Sequence, residues 1–290
     1  MYFFIALPFM ALILAFHYVP LFGWGYAFVE YKIGRSLANM NFVGLKHFGR
    51  LAIEWRIIYR VLRNTLAMSL LSLATSPLPI LFAIMLNEIR IKRLKGLAQT
   101  VTTLPNFISW IVVFGIAFSM LSNRSSIASL LTFLGIDLGP AGILGNNDLT
   151  WVFQIALQIW KSLGWGAIIY LAAISGIDSE MYEAAQIDGA NKIRCIWHIT
   201  IPGIMPTYLV LLLLSVGNIL NNGFEQYFVF YNSLVSDRIE VLDLYIYRVG
   251  IVAGDYSFSI AVGMLKSLFS ISLLLSVNSL SKFIRGESLI

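Results

Sequence analysis

The sequence has few charged residues and a single cysteine. Only 12% of its 290 residues are Asp, Glu, Lys or Arg, and 58% are hydrophobic. Because soluble domains carry about 25% charged residues, this composition excludes a soluble globular chain and indicates an integral membrane protein. The single cysteine, Cys195, excludes a disulfide within the chain.

Signatures of catalysis and of nucleic-acid binding are missing as well. The sequence contains no Gly-x-x-x-x-Gly-Lys-Ser/Thr phosphate loop, so we do not expect this chain to hydrolyse ATP. His17, His47 and His198 are scattered and, with one cysteine, offer no zinc-site spacing. No basic cluster is interleaved with aromatic residues in the way that suggests nucleic acid. We therefore expect neither an enzyme nor a chain that holds its own metal or cofactor.

The sequence does contain long apolar runs. A membrane helix needs about 20 mostly apolar residues. The stretches that qualify lie near Phe3–Phe28, Asn64–Asn87, Leu97–Leu121, Trp151–Ile177, Gly203–Asn222 and Phe258–Ser281. The sequence thus predicts an all-α polytopic membrane protein with six transmembrane helices, forming one domain over residues 1–290. We expect the first helix to be retained, because it is too long for a signal peptide and lacks a cleavage site.

Basic residues are spread unevenly over the connections between the predicted spans. The short segment Asn87–Gly96 is strongly basic, which predicts a cytoplasmic position by the positive-inside rule. The connection Val29–Tyr59 is also basic but falls on the opposite side, so charge alone leaves the orientation open. In the connection Ser122–Thr150, the apolar stretch Ile127–Ile136 is too short to span and is predicted to be a surface or re-entrant element.

The most distinctive stretch lies within about residues 178–202 and contains EAAQIDGANKIRCIWHITIP. Asp178 precedes it and can cap a helix, because its short side chain accepts from free N–H groups of the first turn. Gly189 can end the helix, since glycine tolerates the left-handed conformation. The stretch therefore predicts a short helix between the fourth and fifth spans, with a small-residue face at Ala184 and Ala185.

This stretch resembles the EAA loop of ABC-importer permeases. The matching residues are Glu183, Ala184, Ala185, Asp188, Gly189 and Ala190, followed by Ile201-Pro202. In that family the loop forms a cytoplasmic coupling helix that docks on the ATP-hydrolysing subunit, which implies this role for the same residues here. The resemblance also implies a multi-pass protein of the bacterial inner membrane, with this loop and the C-terminus in the cytoplasm. The alternative is an alanine-rich turn between two membrane helices.

Further stretches resemble the polysaccharide and oligosaccharide branch of carbohydrate-uptake permeases. They are His17–Pro20, Phe42–Leu45, Arg63–Thr65, Leu86–Glu88, Leu104–Trp110, Gly223–Gln226 and Tyr245–Gly250. The resemblance implies a type I importer fold, a second permease subunit, two subunits that bind ATP and Mg, and an extracytoplasmic solute-binding protein. The implied cargo is an oligosaccharide or polysaccharide. An acidic, alginate-like cargo would suit Lys161 and the basic connection Val29–Tyr59.

Polar residues recur at helical spacing within the predicted spans. Gln158, Lys161 and Trp165 share one face of the fourth span, and Asn218 and Asn222 share a face at the end of the fifth. Because polar groups are costly in a bilayer, these residues are predicted to line the pathway of the cargo. The alternative is hydrogen bonding between helices, which commonly holds membrane helices together.

A secondary transporter driven by an ion gradient is the rival interpretation. Such folds show internal repeats and membrane-embedded carboxylates, and neither is evident in this sequence. A structural subunit without transport would have no need of the EAA loop. We therefore expect the pore subunit of an ATP-driven importer, seated in the lipid bilayer.

Overall fold

Helices dominate the computed structural model, which describes residues 2–32, 34, 40–122, 129, 133 and 142–285. The α-helices are Tyr2–Ile13, Lys46–Ile53, Trp55–Thr75, Leu78–Glu88, Lys92–Thr103, Trp110–Leu121, Gly142–Gly145, Thr150–Ser175, Ser179–Ile187, Lys192–Cys195, Ile201–Gly217, Glu225–Phe230, Ser236–Ile239, Leu242–Tyr247 and Tyr256–Arg285. Val19–Phe28 and Leu104–Phe107 are 3-10 helices, and Leu14–Tyr18, Ile196–Thr200 and Arg248–Val252 are π-helical. Among the described residues, extended pairing is limited to one antiparallel bridge between Val29 and Phe42.

Within the described part of the chain, five helical segments are long and apolar enough to cross a membrane, and one bent pair can form a sixth span. Numbered in chain order, spans one to six are Ala6–Phe28, Trp55–Glu88, the pair Lys92–Phe107 and Trp110–Leu121, Thr150–Ser175, Lys192–Gly217 and Tyr256–Ser279. These segments confirm the predicted all-helical, polytopic fold. The predicted re-entrant element Ile127–Ile136 lies, apart from residues 129 and 133, outside the described part of the chain.

Spans two and five begin earlier than hydropathy indicates. They start at Trp55 and Lys192, whereas the apolar runs start near Asn64 and Gly203. The added turns contain charged side chains such as Arg60, which lower the local hydropathy. Arginine and lysine are nevertheless good helix formers, so the helices continue through these turns.

Span three is broken where the sequence predicts one span over Leu97–Leu121. Its two parts, Lys92–Phe107 and Trp110–Leu121, meet at an angle of 103°. Pro105 has no N–H group to donate within a helix, which favours an interruption here. The Ser109 side chain then caps the second part by accepting from the backbone N–H three residues later at 3.4 Å.

Small residues let span four pack closely against its neighbours. A Cβ atom on Gly164 would lie 2.3 Å from the carbonyl group of Thr102 in span three. Ala167 of span four and Ala83 of span two are both fully buried, and they share an apolar cluster with Ile204 of span five. Close approach at small residues is typical of membrane helices.

The connection between spans five and six folds back onto the start of span two. The Asn64 amide is buried and donates to the carbonyls of Asp237 at 2.8 Å and Glu240 at 3.1 Å. The adjacent Thr65 hydroxyl accepts from the Leu242 N–H at 2.8 Å. The bonds to Glu240 and Leu242 satisfy backbone groups of buried residues, whereas the exposed Asp237 carbonyl also accepts from Arg63 at 2.9 Å.

Charged pairs complete the contact between this connection and span two. The buried Glu240 carboxylate lies between the guanidinium groups of Arg60, at 2.7 Å, and Arg248. Such pairing is needed because an isolated buried charge is costly. Burial and the neighbouring Glu54 carboxylate raise the pKa of Tyr245, which keeps its hydroxyl a neutral donor to Glu54 at 3.2 Å.

Replacing Asn64 with alanine should destabilise the protein without altering its spans. The Glu240 carbonyl would lose the donor that Asn64 supplies, and a buried group left unsatisfied costs about 1–3 kcal/mol. We expect a lower thermal midpoint for the purified protein in detergent, measured by tryptophan fluorescence. Ser279→Ala, which removes only an exposed hydroxyl bonded to Leu275, is the control. Equal midpoints for the two variants would contradict this role of Asn64.

Candidate functional site

The loop between spans four and five contains a helix, Ser179–Ile187, which we call the loop helix. The Asp178 side chain caps it by accepting from the Glu180 N–H at 2.9 Å. Glu180 also places negative charge in the first turn, where the helix dipole favours it. The loop is shorter than the predicted 178–202, because span five already begins at Lys192.

Gly189 ends the loop helix in the left-handed conformation, with φ of +77°. The Ala190 N–H donates to the Ala185 carbonyl at 2.8 Å, and the Gly189 N–H donates to the Gln186 carbonyl at 3.1 Å. These two bonds define a Schellman motif. A Cβ on Gly189 would meet no atom within 4 Å, so the backbone conformation alone favours glycine at this position.

The surface of the loop helix is open. None of its side chains is buried, and Ile187 and Met181 are 87% and 52% exposed. Glu183 and Ala184 are exposed too, while Ala185 is half-buried. The exposed side chains leave this face of the helix uncovered within the chain and accessible to another molecule.

A hydroxyl contact joins the loop helix to span five, and an ion pair joins the start of span five to span two. The Tyr182 hydroxyl lies 2.9 Å from the Thr200 hydroxyl in span five. Lys192, at the start of span five, pairs with Glu88 at the end of span two with a nitrogen–oxygen distance of 2.5 Å. This ion pair brings the loop helix and the basic segment Asn87–Gly96 to the same end of the bundle.

A second candidate site is a polar groove between spans two, four and five. It consists of two adjoining cavities of about 200 and 180 Å³. The residues that border both are Ser72, Leu73, Gln158 and Ser215. Asn218 and Asn222 line the second cavity, and the Asn222 amide donates to the Ser69 hydroxyl at 2.9 Å. The structure thus brings together three predicted pathway residues, Gln158, Asn218 and Asn222.

The other two predicted pathway residues lie outside the groove walls. The Lys161 amine donates to the carbonyls of Asn106 at 2.7 Å and Pro105 at 3.3 Å, at the break in span three. Trp165 packs edge-on against Phe107, with ring centroids 5.7 Å apart. The Lys161 amine is thus bonded to backbone carbonyls outside the two cavities, and that Lys161 borders the cargo pathway stays a prediction. That Trp165 borders the cargo pathway stays a prediction.

A comparison with protein families decides what kind of membrane protein this is. The family described as "Binding-protein-dependent transport system inner membrane component" matches residues 75–286. The chain belongs to this family. It is therefore a multi-pass transport permease, and the rival interpretation of an ion-driven secondary transporter is not supported.

Individual relatives match the permease over nearly its whole length. The polygalacturonan/rhamnogalacturonan transport system permease protein YteP of Bacillus subtilis (strain 168) is 38% identical over 278 residues, covering 95% of this chain and 86% of that protein. Protein LplB of the same organism is 36% identical over 284 residues, covering 98% and 89%.

Solved structures match the fold of the permease. A bacterial ABC transporter involved in the import of the acidic polysaccharide alginate contains a chain that is 34% identical, with a TM-score of 0.87 over 98% of this chain and 95% of that chain. An alginate ABC transporter in complex with an alginate pentasaccharide-bound periplasmic protein matches with 33% identity and a TM-score of 0.88, covering 99% and 95%. These matches confirm the expected type I importer permease fold.

Cysteines placed in the polar groove should react with a charged thiol reagent. In a Cys195→Ser background, Ser72→Cys and Ser215→Cys are expected to be labelled in open membranes, because polar walls favour a water-filled groove. Met68→Cys, fully buried one turn before Ser72, is the matched control and should stay unlabelled. If Ser72→Cys reacts no faster than Met68→Cys, the groove does not hold water.

Proposed function

We propose that the permease forms half of the translocation pore of an ATP-driven importer in the bacterial inner membrane. Its partners would be a second permease, two subunits that bind ATP and Mg and hydrolyse ATP, and an extracytoplasmic solute-binding protein. The observation that carries this proposal is the open loop helix, capped at both ends and bonded to span five, which in turn pairs with span two, in a chain of this family.

In this proposal the loop helix docks on an ATP-binding subunit in the cytoplasm. Ala184 and Ala185 would fit a groove of that subunit, Glu183 would make a polar contact to it, and the turn at Gly189 would set the angle of the returning chain. The contact to span five, and the ion pair from span five to span two, would pass a movement of the docked helix to the membrane as a rigid-body displacement. The basic segment Asn87–Gly96 at the same end favours this orientation.

We further propose an acidic oligosaccharide or polysaccharide as the cargo. Support comes from relatives whose names specify polygalacturonan and alginate transport. Three cations add little to this support, because Lys161 is bound to carbonyls, Lys46 pairs with Glu30, and Arg50 pairs with Asp255. The hydroxyl and amide groups of the groove suit the hydroxyl groups of a sugar.

Gly189→Val should uncouple the transporter. At φ of +77° a side chain with a Cβ costs about 1–2 kcal/mol, so the turn would change and misplace the loop helix. We expect both uptake and ATP hydrolysis stimulated by the binding protein to fall about tenfold. A strain of about 1.4 kcal/mol that is added to the barrier of the coupled reaction corresponds to that factor in rate. The measurement uses proteoliposomes that contain the complete transporter. Ala185→Trp, which would clash in the proposed docking groove, should have the same effect.

Gly189→Asn is the matched control, because asparagine tolerates the left-handed conformation and the space beside Gly189 is open. It should retain most of the activity, and the second permease should co-purify with every variant. Normal rates in an assembled Gly189→Val transporter would show that this turn does not serve coupling.

The cargo proposal predicts preferential uptake of uronic acid oligosaccharides. In membrane vesicles supplied with the binding protein and ATP, an unlabelled uronic acid oligosaccharide should compete with labelled acidic cargo far better than a neutral oligosaccharide of equal length. Equal competition by the two would reject an acidic cargo while leaving the proposed coupling intact.

A further inference from the structure

One side chain of span four contacts both parts of the broken third span. The Lys161 amine donates to the carbonyls of Pro105 and Asn106, which precede the break. The same amine lies 5.5 Å from the ring centroid of Trp110, the first residue after the break. Lys161 therefore joins the end of one helical part to the beginning of the other.

The chemistry of the break explains why a cation is held there. The last carbonyls of a helix have no partner within it and carry the partial negative charge of the helix dipole. In a membrane, water is not freely available to bond them. The Pro105 carbonyl also accepts from the N–H of Ile108, beyond the helical part, at 3.2 Å, and Lys161 adds its shorter bond to the Asn106 carbonyl. An ammonium group has three donors and is attracted to an aromatic face, so it can serve both carbonyls and the Trp110 ring together.

Neighbouring residues of span four hold the same region in place. Gly164 lies one turn beyond Lys161 and admits the Thr102 backbone so closely that a Cβ would clash at 2.3 Å. Trp165 packs edge-on against Phe107. Residues spaced by three and four lie on one helix face, so Lys161, Gly164 and Trp165 form one contact surface along the bend.

We propose that Lys161 is a positioning residue that sets the angle of the broken third span, rather than a cation that recognises the cargo. Through this angle it would shape the transport pathway beside span four. The proposal stands on contacts within this chain and on its membership of the permease family. It does not depend on the identity of the cargo.

Paired spin labels can measure the bend directly. In a Cys195→Ser background, Val101→Cys and Val112→Cys place nitroxides on exposed positions of the two parts, and pulsed electron paramagnetic resonance gives their distance in lipid vesicles. Lys161→Met should shift or broaden the distance distribution. Lys161→Arg, which retains the charge and several donors, should keep the distribution of the unsubstituted protein. An unchanged distribution in Lys161→Met would overturn the proposal.

Transport kinetics separate positioning from cargo recognition. In the complete transporter, Lys161→Met should lower the maximal uptake rate several-fold and by the same factor for every oligosaccharide that is accepted, with KM unchanged. A selective rise in KM for acidic cargo would instead show that Lys161 recognises the cargo. If Lys161→Met does not reach the membrane, Lys161→Gln, whose amide is uncharged and one atom shorter in reach than the lysine amine, has the same two outcomes. The distance measurement remains decisive even if no ATP-driven uptake is found.

Discussion

The interruptions of helices in this protein depend on partners for the backbone groups that they expose. An apolar environment offers a broken helix no water for its free N–H and C=O groups, so another part of the chain must bond them. Lys161 does this for the break in span three. Asn64 does it for the connection that folds onto span two. At the exposed loop helix, where water is available, the turn at Gly189 bonds the helix end internally. These partners determine where the chain bends.

The positions of the bends bring the two candidate sites onto the same helices. Span two carries Glu88 at the end that faces the loop helix and Ser72 in the wall of the groove. Span five carries Lys192 at its start and Ser215 in the same wall. The loop helix contacts span five directly and reaches span two through Lys192, and both spans lead to the groove. A displacement of the loop helix would therefore also displace spans that line the groove.

Local features of the sequence are sufficient for the spans and for the loop helix with its ends at Asp178 and Gly189. Hydropathy identifies the apolar runs, and the caps depend on residues only a few positions apart. Contacts between distant residues cannot be obtained in this way. The bond from Lys161 to the Asn106 carbonyl joins residues 55 positions apart. A lysine side chain is long and flexible, so its position on a helix does not determine which neighbouring acceptor it reaches. Hydropathy does not identify the first turns of spans two and five, because charged residues lower the hydropathy of these turns although the turns are helical.

Transmission of ATP hydrolysis through the loop helix can be tested with a photo-crosslinking amino acid at Ile187, which is 87% exposed. The substituted permease would be assembled in the complete transporter in native membranes, and the crosslinked partner would be identified by mass spectrometry. We predict a crosslink to an ATP-binding subunit, with a yield that differs between the nucleotide-free and ATP-bound states. Crosslinks only to lipid, or to the solute-binding protein, would contradict a coupling function of the loop helix.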